Sequence, residues 1–182
     1  MSEALAKFFS NKIIPVVVID DARHAVPLAN TLLEGGVSAI EITLRTPQAL
    51  AAMEAIAKNV PDMLLTAGTA LNKIHLQQVK DVGAKLVVSP GISVELLDGA
   101  KDLGLVLLPG VATASEVMAA NADGLNFLKF FPATAAGGVP MRWTSMGVLA
   151  APSTYLVPHA RQTWMAASRT VPSTGQRTIR LE

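Results

Sequence analysis

The sequence predicts an α/β fold in which parallel strands alternate with helices. Segments rich in β-branched residues take turns with amphipathic helical segments, and a strand recurs about every 20 to 25 residues, which is the spacing of β/α units. Hydrophobic residues make up 51% of the chain and charged residues 16%, a composition that suits a sheet covered by helices. The 182 residues fit one domain, 1–182, with an ample core.

The predicted elements follow one another in a regular order. Strands are predicted at residues 13–19, 37–44, 63–66, 85–89, 105–108 and 125–131. Helices are predicted at residues 2–10, after Asp20 and Asp21, and at 47–59, 73–82, 93–103 and 114–122. The two aspartates suit a helix start because acidic side chains satisfy the free amides there, and Gly35 with Gly36 suits the end of that helix.

The number of strands leaves two architectures open. Six strands are clear and residues 153–157 could form a seventh, so a closed eight-stranded (β/α)8 barrel would have to be incomplete at its C-terminus. An open doubly wound sheet is the rival. No Gly-x-Gly-x-x-Gly motif and no Walker lysine follows an early strand, which argues against the nucleotide-binding forms of that fold.

Composition argues against several classes of partner. A net charge of +1 and the lack of a basic patch with aromatic residues argue against nucleic acid, and no apolar run is long enough to cross a membrane. The absence of cysteine and of a signal-peptide pattern predicts a cytoplasmic protein. His24, His75 and His159 are scattered without ligand spacing, so we expect surface or helix roles for them and no metal site.

The C-terminal part differs in kind from the rest. Residues 1–140 carry 10 Lys and Arg against 13 Asp and Glu, whereas residues 141–182 carry five Arg, no Lys and one acidic residue. This tail is rich in Ser and Thr, and after about Pro158 it has no helical or strand periodicity. A divergent or out-of-frame C-terminus would explain the change, and a DNA read across codon 141 tests that hypothesis.

Lys129 is the main candidate for chemistry. It lies in the segment 125–134, Leu-Asn-Phe-Leu-Lys-Phe-Phe-Pro-Ala-Thr, which predicts a buried strand. Burial favours the neutral amine, which is the form that adds to a carbonyl and makes a Schiff base. The alternative is that Lys129 points outward, or pairs with a carboxylate in a purely structural role.

Other polar residues stand at the ends of predicted strands, where β/α barrels carry their catalytic groups. Alternation places Glu41, Thr43 and Arg45 on one side of the second strand. Glu41 and Arg45 are there either as reactive groups or as an ordinary ion pair. Small-residue turns follow the next three strands, at residues 67–72, 89–91 and 109–110. Such turns let a ligand approach the backbone closely, or they simply connect a strand to a helix.

Five of these segments, in order and spacing, resemble the bacterial 2-keto-3-deoxy-6-phosphogluconate (KDPG) and 4-hydroxy-2-oxoglutarate aldolases over residues 1–140. The segments are Ile-Glu-Ile-Thr-Leu-Arg-Thr at 40–46, Ala-Gly-Thr-Ala-Leu-Asn at 67–72, Val-Ser-Pro-Gly at 88–91, Leu-Pro-Gly-Val at 108–111 and Leu-Lys-Phe-Phe-Pro-Ala at 128–133. The resemblance implies a (β/α)8 barrel, a homotrimer, and cleavage of a keto acid to pyruvate without metal or cofactor.

The resemblance also implies roles for single residues. Lys129 would form the Schiff base and Glu41 would act as the general acid and base. The substrate-binding residues would be Arg45, Thr69, Pro90 and Phe131, with Arg45 and Thr69 holding the pyruvyl carboxylate. A planar guanidinium suits a carboxylate because it can donate two parallel hydrogen bonds.

After Val139 the sequence departs from the family pattern. The family continues with glycine turns after its seventh and eighth strands, which bind the substrate phosphate, whereas here His159-Ala160-Arg161 follows the possible seventh strand. Two other functions therefore stay open. One is a catalytically impaired barrel that acts as an oligomer or interaction partner, and the other is a different phosphate-handling barrel such as an isomerase.

Overall fold

The computed structural model describes residues 3–11, 13–133, 135–136, 163–165 and 178–181. The strands are β1 Val16–Ile19, β2 Ala39–Thr43, β3 Leu64–Gly68, β4 Leu86–Val88, β5 Val106–Leu108, β6 Gly110–Val111, β7 Leu128–Phe130, β8 Thr163–Met165 and β9 Thr178–Leu181. The helices are α1 Glu3–Ser10, α2 Ala25–Glu34, α3 Ala49–Asn59, α4 Lys73–Asp81, α5 Val94–Leu103 and α6 Ala114–Ala122. A short 3-10 helix, Ala22–His24, leads into α2.

Three of the described helices begin after a residue whose side chain caps the first turn. The side chains of Asn72, Ser93 and Thr113 each accept a hydrogen bond from a backbone N–H in the first turn of α4, α5 and α6. Asp21 caps the 3-10 helix in the same way. Gly104 ends α5 in the left-handed conformation, with φ 66°, which glycine adopts without steric cost.

The strands wind in sequence order, as in a barrel. One sheet has the order β5-β4-β3-β2-β1-β9 with parallel neighbours. A second sheet has the order β6-β7-β8, and its strands β6 and β7 are also parallel. A doubly wound sheet reverses its strand order at a switch point, and from β1 to β7 this chain does not. Pro109, which has no N–H to donate, separates β5 from β6, a two-residue strand that begins where the sequence predicted only a turn.

The C-terminal part contains two strands where the sequence predicted none after Pro158. β8 pairs antiparallel with β7, and β9 pairs parallel with β1. They cover the two edges that an incomplete barrel would otherwise leave open. Segments of three and four residues are too short for periodicity to reveal, and backbone pairing depends little on side-chain type. The possible strand at 153–157 and His159 lie outside the described residues.

The sheet separates two apolar layers. The outer layer packs β1 to β5 against the helices, and α6 continues it with Val117 and Ala120 against β6 and β7. The inner layer comprises Leu5, Phe8, Ile14, Ala39, Leu64, Leu86, Val88 and Leu108. Helix α1 thus closes the end of the interior where the strands begin. None of the helices in the described part of the chain is long and apolar enough to cross a membrane.

Replacing Phe8 by alanine should weaken the fold strongly. The Phe8 side chain is fully buried and contacts the ring of Phe9 edge to face at 5.2 Å between centroids, so its loss leaves a cavity in the inner layer. We expect the free energy of unfolding, measured by urea denaturation, to fall by about 3–5 kcal/mol. Ile74→Ala is the control, because Ile74 is 69% exposed and should cost less than about 0.5 kcal/mol. Equal costs for the two variants would contradict the packing of α1.

Candidate active site

Strand register brings an acid and an amine to the inner face of the sheet. Glu41 lies at the centre of β2, where its Cα is paired with those of Val16 on β1 and Thr66 on β3. Lys129 lies at the centre of β7, opposite Gly110 of β6, and its N–H donates to the Pro109 carbonyl at 2.8 Å. Because successive residues of a strand alternate faces, both side chains share the interior with the inner apolar layer.

Glu41 and Lys129 contact each other there. Lys129 Nζ lies 3.8 Å from Glu41 Oε1, and the two side chains are only 5% and 1% exposed. Nζ also lies 5.0 Å from the centre of the Phe131 ring, close enough for a cation–π attraction when the amine is protonated. Lys129 therefore does not point outward, and the ion-pair contact of Glu41 is with Lys129 on a distant strand.

Burial moves the pKa values of this pair towards each other. Desolvation raises the pKa of Glu41 above 4.5, although the charges of Lys129 and Arg45 partly oppose it. Desolvation lowers the pKa of Lys129 below 10.5, the positive charge of Arg45 lowers it further, and only Glu41 opposes the change. Both shifts favour the uncharged forms, a neutral amine and a protonated carboxyl group.

Two glycines make room for the pair. A Cβ atom at Gly68 would overlap the carboxylate of Glu41, so only glycine at this position leaves space for that side chain. A Cβ atom at Gly110 would overlap the carbonyl of Pro90, so glycine there allows the start of β6 to lie close to the residue that follows β4. Gly110 is the register partner of Lys129. The small residues after each strand predicted that another group approaches the backbone closely. They did not predict that at Gly68 this group is the Glu41 carboxylate.

The other predicted site residues follow the C-terminal ends of β2, β3, β4 and β7. Phe131 directly follows β7 and contacts Lys129. Arg45 lies two residues beyond β2 with an exposed side chain, and its charge acts on both members of the pair. Thr69 and Pro90 are half-buried and follow β3 and β4, in loops of their own. Thr69 has φ 64°, a left-handed conformation that is uncommon for threonine and typical of constrained sites.

Sequence reasoning missed Thr66. It is fully buried beside Glu41 on the same face of the sheet, and its hydroxyl has no hydrogen-bond partner among the described residues. A threonine inside an apolar strand gave no signal by itself. Only the register between β2 and β3 relates it to Glu41.

The described residues contain no cluster of three or more His, Cys, Asp or Glu side chains that could hold a metal ion. His24 ends the 3-10 helix with an exposed side chain. His75 lies in α4, where its ring accepts a hydrogen bond from the Leu71 N–H at 3.3 Å. Both histidines therefore have the helix or surface roles that the sequence predicted.

The electrostatic coupling predicts opposite effects of two substitutions on the pKa of Lys129. Glu41→Gln removes the negative charge that favours the ammonium form, so it should lower this pKa below that of the unsubstituted protein. Arg45→Gln removes a positive charge and should raise it. The measurement is a titration of the Lys129 13Cε resonance by NMR, assigned with Lys129→Arg. A pKa at or above 10.5 in the unsubstituted protein, or shifts of the same sign, would contradict the burial of the pair.

Comparison with known proteins relates this geometry to a family. The family model described as KDPG and KHG aldolase matches residues 5–180. The chain is 45% identical over 132 residues to the 2-dehydro-3-deoxy-phosphogluconate aldolase of Pseudoalteromonas atlantica, covering 72% of this chain and 61% of that one. It is 46% identical over 127 residues to the KHG/KDPG aldolase of Escherichia coli, covering 70% and 60%. The chain thus spans less than two thirds of the length of these relatives.

Solved structures agree. The KDPG aldolase from Legionella pneumophila, with pyruvate captured as a covalent carbinolamine, superimposes with a TM-score of 0.80 at 39% identity over 85% of this chain and 75% of that one. The Zymomonas mobilis enzyme with 3-phosphoglycerate gives 0.75 at 40% identity, over 80% and 69%. These relatives are (β/α)8 barrels, which confirms the predicted fold class. The chain belongs to the KDPG and KHG aldolase family.

Proposed function

We propose that this protein is a class I aldolase, a single domain of residues 1–182 that cleaves 2-keto-3-deoxy-6-phosphogluconate to pyruvate and glyceraldehyde 3-phosphate. The observation that carries the proposal is the buried contact of 3.8 Å between Lys129 Nζ and Glu41 Oε1. The names of the relatives support the substrate, and one of them adds 4-hydroxy-2-oxoglutarate (KHG) as a second one. A homotrimer, a place in the Entner-Doudoroff pathway and a cytoplasmic location complete the proposal.

Lys129 is the proposed nucleophile. Its neutral amine adds to the C2 carbonyl of the substrate, and the resulting carbinolamine loses water to give an iminium ion. The C3–C4 bond then breaks, its electron pair moves into the iminium group to give an enamine, and C4 leaves as an aldehyde. Protonation at C3 and hydrolysis return pyruvate and the free amine. A lowered pKa of Lys129 supplies the neutral amine that the first step requires.

Glu41 is the proposed general acid and base. It gives a proton to the departing water of the carbinolamine, takes the proton of the C4 hydroxyl during cleavage, and returns a proton to C3 of the enamine, with water as the carrier. A carboxyl group with its pKa raised by burial can hold a proton closer to neutral pH than an exposed one. Its contact with Nζ places it beside the atom on which the intermediates form.

Arg45 and Thr69 are proposed to bind the carboxylate of the substrate. The exposed guanidinium of Arg45 stands at the edge of the sheet and is free of an ion-pair contact with Glu41, whose partner is Lys129. Thr69 presents a hydroxyl from a left-handed turn. Pro90 and Phe131 would form apolar walls on either side of the reactive carbon.

A covalent trap tests the nucleophile. With pyruvate and borohydride, mass spectrometry should find a reduced pyruvyl adduct on Lys129, because the iminium is fixed as a secondary amine. Lys129→Arg should lose the adduct completely, whereas Glu41→Gln should retain it but form it at least about tenfold more slowly. Lys101→Arg is the control, since Lys101 is exposed and pairs with Asp123, and it should label normally. Folded protein without an adduct on Lys129 would remove the aldolase proposal.

A catalytically impaired barrel is the second candidate, because the glycine turns that bind phosphate in the family are absent from the sequence after Val139. The turnover of the two substrates distinguishes the active aldolase from the impaired barrel. If Lys129 and Glu41 are active and the phosphate is bound weakly, kcat/KM should be less than about tenfold higher for the phosphorylated substrate than for 4-hydroxy-2-oxoglutarate. Tenfold corresponds to about 1.4 kcal/mol. A much larger preference would show that another part of the protein binds the phosphate. No turnover of either substrate, despite a normal pyruvate adduct, would favour the impaired barrel.

A further inference from the structure

Thr66 and Glu41 carry two buried polar atoms that lie on neighbouring strands. Their Cα atoms are register partners between β2 and β3, and the residues are 0% and 1% exposed. Among the described residues neither Thr66 Oγ1 nor Glu41 Oε2 has a hydrogen-bond partner. The other carboxylate oxygen, Oε1, is the one that faces Lys129 Nζ.

The two atoms are chemically complementary. A hydroxyl can donate one hydrogen bond and accept others, a carboxylate accepts, and a water molecule can connect the two. Leaving both unsatisfied in an apolar interior is costly, and the cost falls mainly on the ionised carboxylate. Thr43, the next inward-facing residue of β2, differs because its hydroxyl already donates to the Val17 carbonyl at 3.2 Å.

We infer that Thr66 is a positioning residue for Glu41, and that its hydroxyl holds Oε2 through one bridging water so that Oε1 stays directed at Lys129 Nζ. The glycine at position 68 fits this role, because any larger residue there would displace the Glu41 carboxylate from its place beside Lys129. The inference rests on the proposed function, and it assigns to Thr66 the orientation of the acid and base in the proton transfers.

A hydrogen bond to the ionised carboxylate favours that form, so its removal should raise the pKa of Glu41 further. The charged groups that act on Glu41 are Lys129 on β7 and Arg45 after β2, and both lower its pKa. Val16, its register partner on β1, carries no charge. Substitution of Thr66 leaves these charges in place, so the change in pKa reports on the hydroxyl alone.

Exchange of the pyruvate methyl protons with deuterium from D2O measures the role directly. At saturating pyruvate Lys129 is held as the iminium, Glu41 takes a proton from C3 to give the enamine, and a solvent deuteron returns to C3. The exchange rate should rise with pH through the pKa of Glu41, and this rise is the acid limb of the pH–rate profile. In Thr66→Val this limb should move up by about one pH unit, which is roughly a tenfold loss of rate on its acid side. Thr66→Ser, which keeps the hydroxyl, should restore the original limb.

Thr43→Val is the matched control, since it removes a buried hydroxyl that bonds only to the backbone. It should lower the urea midpoint of unfolding without moving the limb. An unshifted limb in Thr66→Val, or a Thr66→Ser variant as impaired as Thr66→Val, would overturn the inference. If Thr66→Val does not fold, Thr66→Ala gives the same comparison with a smaller side chain.

Borohydride trapping separates the role of Thr66 from the aldolase proposal. A missing adduct in the unsubstituted protein refutes the aldolase, whereas a normal adduct with an unshifted limb refutes only the role of Thr66.

Discussion

The burial of a lysine beside a glutamate is the constraint on which the rest of the site depends. An ammonium and a carboxylate that are both almost fully buried lose most of their hydration, and their attraction at 3.8 Å repays only part of that cost. Replacing a buried ion pair by apolar residues of matching volume is often neutral or stabilising. Desolvation favours the neutral amine and the protonated acid that the proposed Schiff-base reaction uses, so a chemical role explains the pair better than stability does.

The fold positions the pair by dividing the interior of the sheet in two. At the end where the strands begin, Leu5 and Phe8 of α1 pack against apolar residues of the inner layer. Towards the other end, the inward positions of β2, β3 and β7 are Glu41, Thr66 and Lys129. Parallel strands all end at one edge, so residues far apart in sequence meet there. The apolar end contributes to the burial of the pair, and the loops that follow the strands lie at the opposite end.

Much of this could be predicted from the sequence. The six strands of residues 13–131 and their helices were predicted from periodicity, because each β/α unit is long enough to display its pattern. Lys129 and Glu41 were identifiable as single charges within apolar strands. Strands β6, β8 and β9 were missed because they are short and are held by backbone pairing, β6 and β8 with β7 and β9 with β1. Thr66 was missed because its importance depends on strand register, and Arg45 lies beyond the strand where alternation no longer applies.

We propose that burial makes the Lys129 amine reactive by lowering its pKa. The most direct measurement is the rate at which pyruvate becomes trapped on Lys129 by cyanoborohydride, followed by mass spectrometry as a function of pH. The rate should reach its plateau below pH 10.5, and in Glu41→Gln the rise should move to lower pH. A rate that still rises through 10.5, as for an exposed amine, would contradict the account.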